Sequence, residues 1–423
     1  MNNRLLDTNV KQKRPFAIRA LNFSGRVLAQ LGIALPVLNI DDIHQKAKQK
    51  TGLTDFGDID YLAGLEHLIK STETEAKLSQ IGRIAAKSAL IDNLANRMLM
   101  VDYVKKNPAV KQEVIAQPMF IIGLPRTGTT ILHAIIAEAN ENRAPKLWEM
   151  QRPFPPPAKN AADNEVRILE LEKNATMLDI LAPEMKLKHE SNPRLVEECL
   201  PWMATSFFQE QFSTVHRLPS YRQWYLNADP KPAYQWHKLY LQYMQFIAKK
   251  NGQAPRRWIL KSPAHLPFIE AIIDTYPDAL IVQTHRDPLK VLASACSLLS
   301  TLRGGFSDAI DPLQIGEEES QYYSTILSRG IAARREIKNA DQFYDFQFDD
   351  IIHRPIDSIA DLYQHFDLNL NNESRKKMQL FIDNRPRTMH GKHVYTMKEF
   401  GLTEEKQGPL FSDYRKEYVQ STL

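Results

Sequence analysis

The run Met119-Phe120-Ile121-Ile122-Gly123-Leu124-Pro125-Arg126-Thr127-Gly128-Thr129-Thr130 has the make-up of an anion-binding loop. A short apolar strand leads into glycines five residues apart, and two threonines open a helical pattern at Ile131, Leu132, Ala134, Ile135 and Ile136. Such a strand, glycine loop and helix N-terminus turn backbone N–H groups inward, and the helix dipole adds to the attraction for negative charge. A nucleotide-binding loop would carry lysine where Thr129 stands, to reach the β/γ-phosphates. Here the cation comes earlier, at Arg126, which points to a phosphate ligand other than ATP. A second signal is Arg286 and Ser294, eight residues apart (294 − 286). With Arg286 ending a strand and Ser294 two turns into the next helix, both can hold one phosphate. Arg286-Asp287-Pro288 also reads as an ordinary strand-to-helix turn with a surface ion pair. Glu197 and Glu198 are adjacent carboxylates, and burial beside its neighbour can raise the pKa of one of them enough to make it a proton acceptor. The alternative is an acidic first turn of a helix before Leu200-Pro201-Trp202.

Positioning these groups takes an α/β framework. Residues from about Ala17 to Lys111 read as helices, with amphipathic spacing at Val27, Leu28, Leu31, at Ile59, Leu62, Leu65, Leu68 and at Ile84, Leu90, Leu94. From Pro118 the pattern changes. Strands are predicted at Met119–Ile122, Trp258–Leu260, Leu280–Thr284 and Tyr344–Phe348, each followed by a helix, at Thr129–Glu138, Ala264–Asp274, Pro288–Leu302 and Pro355–Phe366. This alternation predicts a P-loop-like parallel sheet flanked by helices, where ligands bind beyond the carboxyl ends of the strands. Three of those ends carry chemistry: the glycine loop, Lys261-Ser262-Pro263-Ala264-His265 and His285-Arg286-Asp287-Pro288. The expected organisation is a helical N-terminal region over 1–115 and an α/β domain over 116–423. Within that domain, a helical insert over 140–257 shapes an acceptor pocket, and a tail over 385–423 covers the cofactor. The insert is rich in rings, among them Trp202, Phe207, Phe208, Tyr221, Trp224, Tyr234 and Tyr240, which read either as core or as walls of an apolar pocket.

Bulk properties narrow the class. With 423 residues, 43% hydrophobic and 25% charged, the chain is ordinary globular protein. A net charge of +4 argues against a protein that coats nucleic acid. Two cysteines, Cys199 and Cys296, are too few for a disulfide framework and suggest a reducing compartment. No run reaches the roughly 18 apolar residues that span a bilayer, and Met1 to Pro15 lack a signal-peptide core. The expectation is a cytoplasmic protein without an integral membrane segment, either a monomer or a homo-oligomer.

Taken together, the motifs resemble those of the sulfotransferase superfamily that uses 3′-phosphoadenosine-5′-phosphosulfate. Gly-Leu-Pro-Arg-Thr-Gly-Thr-Thr at 123–130 is similar to that family's 5′-phosphosulfate loop, and Arg286 with Ser294 to its 3′-phosphate site. Lys261-Ser262-Pro263-Ala264-His265-Leu266-Pro267 resembles the Lys-Thr-His-Leu-Pro segment of the cytosolic branch. Arg143-Ala144-Pro145, Trp148-Glu149, Glu197-Glu198 and His393-Val394-Tyr395 look like landmarks of a bacterial subfamily. Two departures stand out. Ile131 replaces the tryptophan that contacts adenine in the cytosolic branch, and the C-terminal Arg-Lys-Gly loop is missing, with Arg387, His390, Lys392 and His393 as its nearest basic substitute. His390 and His393 have no clear third ligand, so a metal site is not expected there.

The resemblance implies roles. Leu124, Pro125, Arg126, Thr127, Gly128, Thr129, Thr130, Arg286, Ser294 and Lys392 would hold the donor. Arg126 and Lys261 would stabilise charge on the leaving phosphate and the sulfuryl group. His265 would be the base for an alcohol, although it follows Lys261 by four residues where the cytosolic pattern has two. Glu198 is the rival base, with His189 more remote. No metal is required, because the donor enters a cationic cradle. The implied reaction is sulfuryl transfer to a hydroxyl of an apolar small molecule, lipid or glycolipid. The competing readings are a nucleotide-dependent kinase and a non-catalytic binding protein of the same fold.

Overall fold

The computed structural model describes residues 15–33, 35–181, 192–385 and 396–419. Its centre is a five-stranded, wholly parallel sheet of β1 (Met119–Ile122), β2 (Asn142–Arg143), β3 (Arg257–Lys261), β4 (Leu280–His285) and β5 (Phe343–Gln347). The spatial order is β2-β3-β1-β4-β5. Every residue of β1 and β4 is buried, as an interior parallel sheet covered on both faces requires. The chain leaves β1 toward β2 and β3 on one side and reaches β4 and β5 on the other. β1 is therefore the point where the winding reverses, and in sheets of this kind ligands bind beyond the carboxyl end of such a strand. Ile121 pairs with Lys261, and Ile122 with Gln283, which brings the carboxyl ends of the three central strands side by side. Four strands agree with the sequence expectation to within a residue or two. The fifth, β2, has only two residues, too short a stretch to carry a pattern of its own.

Among the described residues, four α-helices precede the sheet: α1 (Phe16–Gln30), α2 (Ile40–Thr51), α3 (Leu62–Thr74) and α4 (Gln80–Lys106). Their apolar faces join the same core as the ring-rich insert. Leu65, Leu68, Leu94 and Met98 pack in one cluster with Trp202, Tyr221, Tyr240 and Leu260. Arg97 ties the two regions together. Fully buried, it donates to the carbonyls of Phe56 (2.8 Å) and Asp58 (2.7 Å), pairs with Asp60 and lies 4.1 Å from the centre of the Trp236 ring. A buried guanidinium is tolerable only when its donors are matched in this way.

After the sheet begins, α5 (Thr129–Ala137) leaves the glycine loop, and α6 (Lys231–Lys250) forms the backbone of the insert. α7 (Pro288–Phe306) follows β4, and α8 (Pro312–Glu336) packs against it. Both α7 and α8 start on the same local signal: Asp287 and Asp311 accept from the first-turn N–H groups, and proline occupies the first helical position, where no N–H is needed. The segment predicted as a helix from Ala264 begins instead as a 3₁₀ turn over Pro263–Phe268, because Pro267 cannot supply an interior α-helical N–H; regular helix covers Ile269–Thr275.

Candidate active site

The glycine loop closes on itself before it offers anything to a ligand. Thr127 Oγ1 donates to the carbonyl of Leu124 (2.6 Å) and lies 2.6 Å from Thr284 Oγ1 of β4, fixing the loop to the neighbouring strand. Gly123 has φ +137°, and a Cβ there would sit 2.5 Å from Thr284 Oγ1 and 2.7 Å from its carbonyl oxygen, so the position admits only glycine. Gly128, at φ +91°, caps α5 and lets its N-terminus face the crevice. Arg126 also adopts a left-handed conformation, φ +68°, uncommon for a residue with a side chain. That conformation lets its carbonyl and its side chain both turn toward β4 and α7. Pro125 is half-buried, Thr129 is buried, and Thr130 reaches the surface.

Arg286 and Ser294 meet this loop directly. Arg286 Nη1 donates to the carbonyl of Arg126 (3.0 Å), and Arg126 Nε donates to Ser294 Oγ (3.2 Å). The Arg286 guanidinium is held over the Phe348 ring, 3.9 Å from its centre. The expected ion pair within Arg286-Asp287-Pro288 does not form in that way. Asp287 instead receives Arg415 (2.9 Å), which also pairs with Glu404, so the segment after residue 396 clamps the start of α7. His285, just before, is buried between Tyr414 (2.7 Å) and Asp345 (2.7 Å) and stacks on Tyr418. Burial lowers the His285 pKa, and Arg334 and His285 together hold the Asp345 carboxyl well below its usual range, against the opposing effect of its own burial.

On the other side of β1, Lys261 Nζ donates to Glu198 Oε1 (2.6 Å) and approaches Thr130 Oγ1 (3.4 Å). The Cys199 N–H donates to the Lys261 carbonyl (3.1 Å), which pins the loop carrying Glu198 to the end of β3. Ser262 Oγ adds a longer contact to Glu198 Oε2 (3.4 Å). Glu198 keeps partial exposure, whereas Lys261 is covered by its partner. Glu197 Oε1 accepts from the Glu198 N–H (2.9 Å), and the Glu197 N–H is bonded to the carbonyl of Pro145 (3.0 Å).

His265 is not brought to this cleft. It has no exposed surface, its Nδ1 is 2.8 Å from the Tyr234 hydroxyl, and Phe120 and His237 pack against its ring. Desolvation, reinforced by His237, puts its pKa well below that of an ordinary imidazole. This corrects the expectation of a histidine base, since in this arrangement the ring has no path to an acceptor hydroxyl and little tendency to take its proton. His265, His237 and Cys199 form the one cluster of three metal-ligating types found among the described residues. Three donors are one fewer than a closed tetrahedral zinc site needs, and the surroundings are aromatic rings. The insert rings resolve mainly as core: Trp202, Phe207, Phe208, Tyr221, Tyr225, Tyr234, Tyr240 and Tyr243 are all buried, with Trp224 and Phe212 half-buried. Lys392, with Arg387, His390, His393 and His189, lies outside the described residues.

Comparison with known proteins agrees with this geometry. Residues 118–372 match the Sulfotransferase family. The chain is 31% identical to the sulfotransferase STF1 of Mycobacterium tuberculosis, with a TM-score of 0.78 over 89% of this chain and 99% of that one. The fold is shared with STF9 of Mycobacterium avium, at 24% identity and a TM-score of 0.82 over 92% of this chain and 98% of that one. A curated relative, the omega-hydroxy-beta-dihydromenaquinone-9 sulfotransferase Stf3 of Mycobacterium bovis and Mycobacterium tuberculosis, is 23% identical over 72% of this chain and 77% of its own length.

Proposed function

The chain belongs to the Sulfotransferase family and is a sulfotransferase, and from that premise we propose that its donor is 3′-phosphoadenosine-5′-phosphosulfate and its acceptor a hydroxyl on an apolar, lipid-like molecule. The observation that carries the donor reading is the meeting of Arg126, Arg286 and Ser294 above β1. Two segments far apart in sequence, each read as anion-binding, are thereby hydrogen-bonded to one another. That suits a ligand with two separate phosphate groups better than a triphosphate with magnesium. The loop N–H groups, Arg126 and the hydroxyls of Thr129 and Thr130 would hold the 5′ end, and Arg286 with Ser294 the 3′ end.

Sulfuryl transfer, like phosphoryl transfer, passes through a loose transition state in which the leaving phosphate oxygen gains charge. Cations placed near that oxygen lower the barrier more than they stabilise the ground state. Lys261, next to Thr130, suits this role. Glu198 becomes the preferred base: it is a carboxylate at the cleft side of Lys261, partly open and held in place by the Cys199–Lys261 backbone bond. Binding of donor would draw Lys261 toward the sulfuryl group and leave Glu198 able to accept the acceptor's proton.

For the acceptor, support comes from the relative whose name specifies a hydroxylated menaquinone. No described helix is long and apolar enough to cross a membrane. Both cysteines are buried and unbridged, which supports a reducing, cytoplasmic setting. Incubating the protein with donor labelled in its sulfuryl group and a panel of isoprenoid and short-chain alcohols tests the reading. Label in an alcohol product is expected. Tight binding of ATP–Mg²⁺ with none of adenosine 3′,5′-bisphosphate would overturn it.

A further inference from the structure

We propose that the outward face of α1 docks the enzyme on the surface of an anionic lipid bilayer. The helix packs on the start of α4 through one side only. Asn22 is buried there and accepts from the Ile81 N–H (3.1 Å), and Gly25 lies against Gln80. On the opposite side, Phe16, Ala20, Phe23, Val27 and Leu31 recur at separations of four, three, four and four residues, one continuous stripe at helical period. They are exposed: Phe16 at 82%, Phe23 at 62% and Leu31 at 70%. Exposed Ile33, Leu35 and Val37 extend the patch past the helix end. A water-facing helix has no reason to turn two phenylalanines and a leucine away from its own core.

Charge says what covers this face. The first 38 residues hold Arg4, Lys11, Lys13, Arg14, Arg19 and Arg26 against Asp7 alone, a net charge of +5 (6 − 1). The whole chain carries +4, so the remaining residues sum to −1 (4 − 5), and the basic excess is concentrated at this end. Arg19 is exposed beside the stripe, and Arg26 flanks Phe23 while pairing with Asp308 (3.1 Å). An apolar stripe edged by arginine is the pattern of a helix that lies in the headgroup region of an anionic membrane. Two copies of the same face would set exposed Arg19 of each beside the same apolar stripe, like charge near like charge, which disfavours self-association. At 15 residues the helix is too short to span a bilayer and is suited to lying along one. The inference deepens the reading of a lipid-like acceptor, since an enzyme held at the interface meets a membrane-dissolved hydroxyl by diffusion in two dimensions.

The test is co-sedimentation of the full chain with phosphatidylcholine vesicles with and without phosphatidylglycerol, at low and high salt, without donor or acceptor. The protein is expected to pellet with the phosphatidylglycerol vesicles and to be released by salt. The double variant F16S/F23S is expected to weaken binding about tenfold or more, and R19Q about fivefold, with melting temperature and turnover of a water-soluble alcohol unchanged. Absence of vesicle binding, or equal binding by F16S/F23S, overturns the proposal. So does a concentration-dependent dimer abolished by F16S/F23S, which would assign the face to a second copy. Because binding is read without turnover, its failure is distinct from failure of the acceptor assignment.

Discussion

Arg126 Nε lies 3.2 Å from Ser294 Oγ while the carbonyl of Arg126 accepts from Arg286, so one loop residue joins both halves of the proposed donor site. Replacing Arg286 by alanine removes a cation and the prop under the Arg126 backbone. Affinity for adenosine 3′,5′-bisphosphate should fall by about 2 kcal/mol, some thirtyfold, in calorimetry. Lysine should restore only part of this, because it lacks the planar fork and the stacking on Phe348. Unchanged affinity in Arg286→Ala would remove Arg286 from the donor site.

Glu198→Gln keeps the shape of the Lys261 partner and removes its basicity. Turnover should drop about 10²–10⁴-fold, with bisphosphate affinity changed little. His265→Asn should instead lower the melting temperature and leave turnover of the folded enzyme near the wild-type value. If His265→Asn abolishes turnover with a normal fold and Glu198→Gln does not, the base assignment is reversed.

Gly123→Ala would drive a methyl group into Thr284 at 2.5 Å, in a backbone conformation closed to alanine. The expected cost is about 2–4 kcal/mol of stability, read by urea denaturation. Thr284→Val should cost less, about 1 kcal/mol, since it removes only the hydroxyl's contacts to Thr127 and to the Ile122 carbonyl. A wild-type midpoint for Gly123→Ala would contradict the described loop.

Burial holds His133 and His237 at pKa values of about 3 and His216 at about 4, against an ordinary value near 6.5. Between those limits the unfolded chain binds protons that the folded chain refuses, so stability falls as pH drops below about 6.5. Each such group adds a slope of up to about 1.4 kcal/mol per pH unit. Denaturation midpoints from pH 7 to pH 5 should decline steadily, and His237→Asn should flatten the decline. A flat profile in the wild type would show that these rings take up protons while folded.

Much of the framework could be read from the residues alone, because a parallel interior sheet writes itself as short apolar runs such as Met119–Ile122 and Leu280–Val282, punctuated by glycine or proline. The anion loop was equally legible, since only glycine fits at 123. What stayed hidden depends on contacts between distant segments. Lys261 and Glu198 are 63 residues apart, and nothing in their neighbourhoods announces a 2.6 Å pair. His265 looked available because its position after Lys261 says nothing about Tyr234, Phe120 and His237 closing over it. On α1 the helical spacing of Val27, Leu28 and Leu31 was visible, but the exposed stripe with Phe16 and Phe23 was not, because which side faces the core depends on Asn22 meeting Ile81.

The clamp of Arg415 on Asp287 joins residues 128 positions apart. A nascent polypeptide thus carries its glycine loop, Arg286 and Ser294 out of the ribosome long before the residue that steadies the start of α7. The start of α7, and with it the proposed donor site, is in this sense completed late in synthesis, from the carboxyl side.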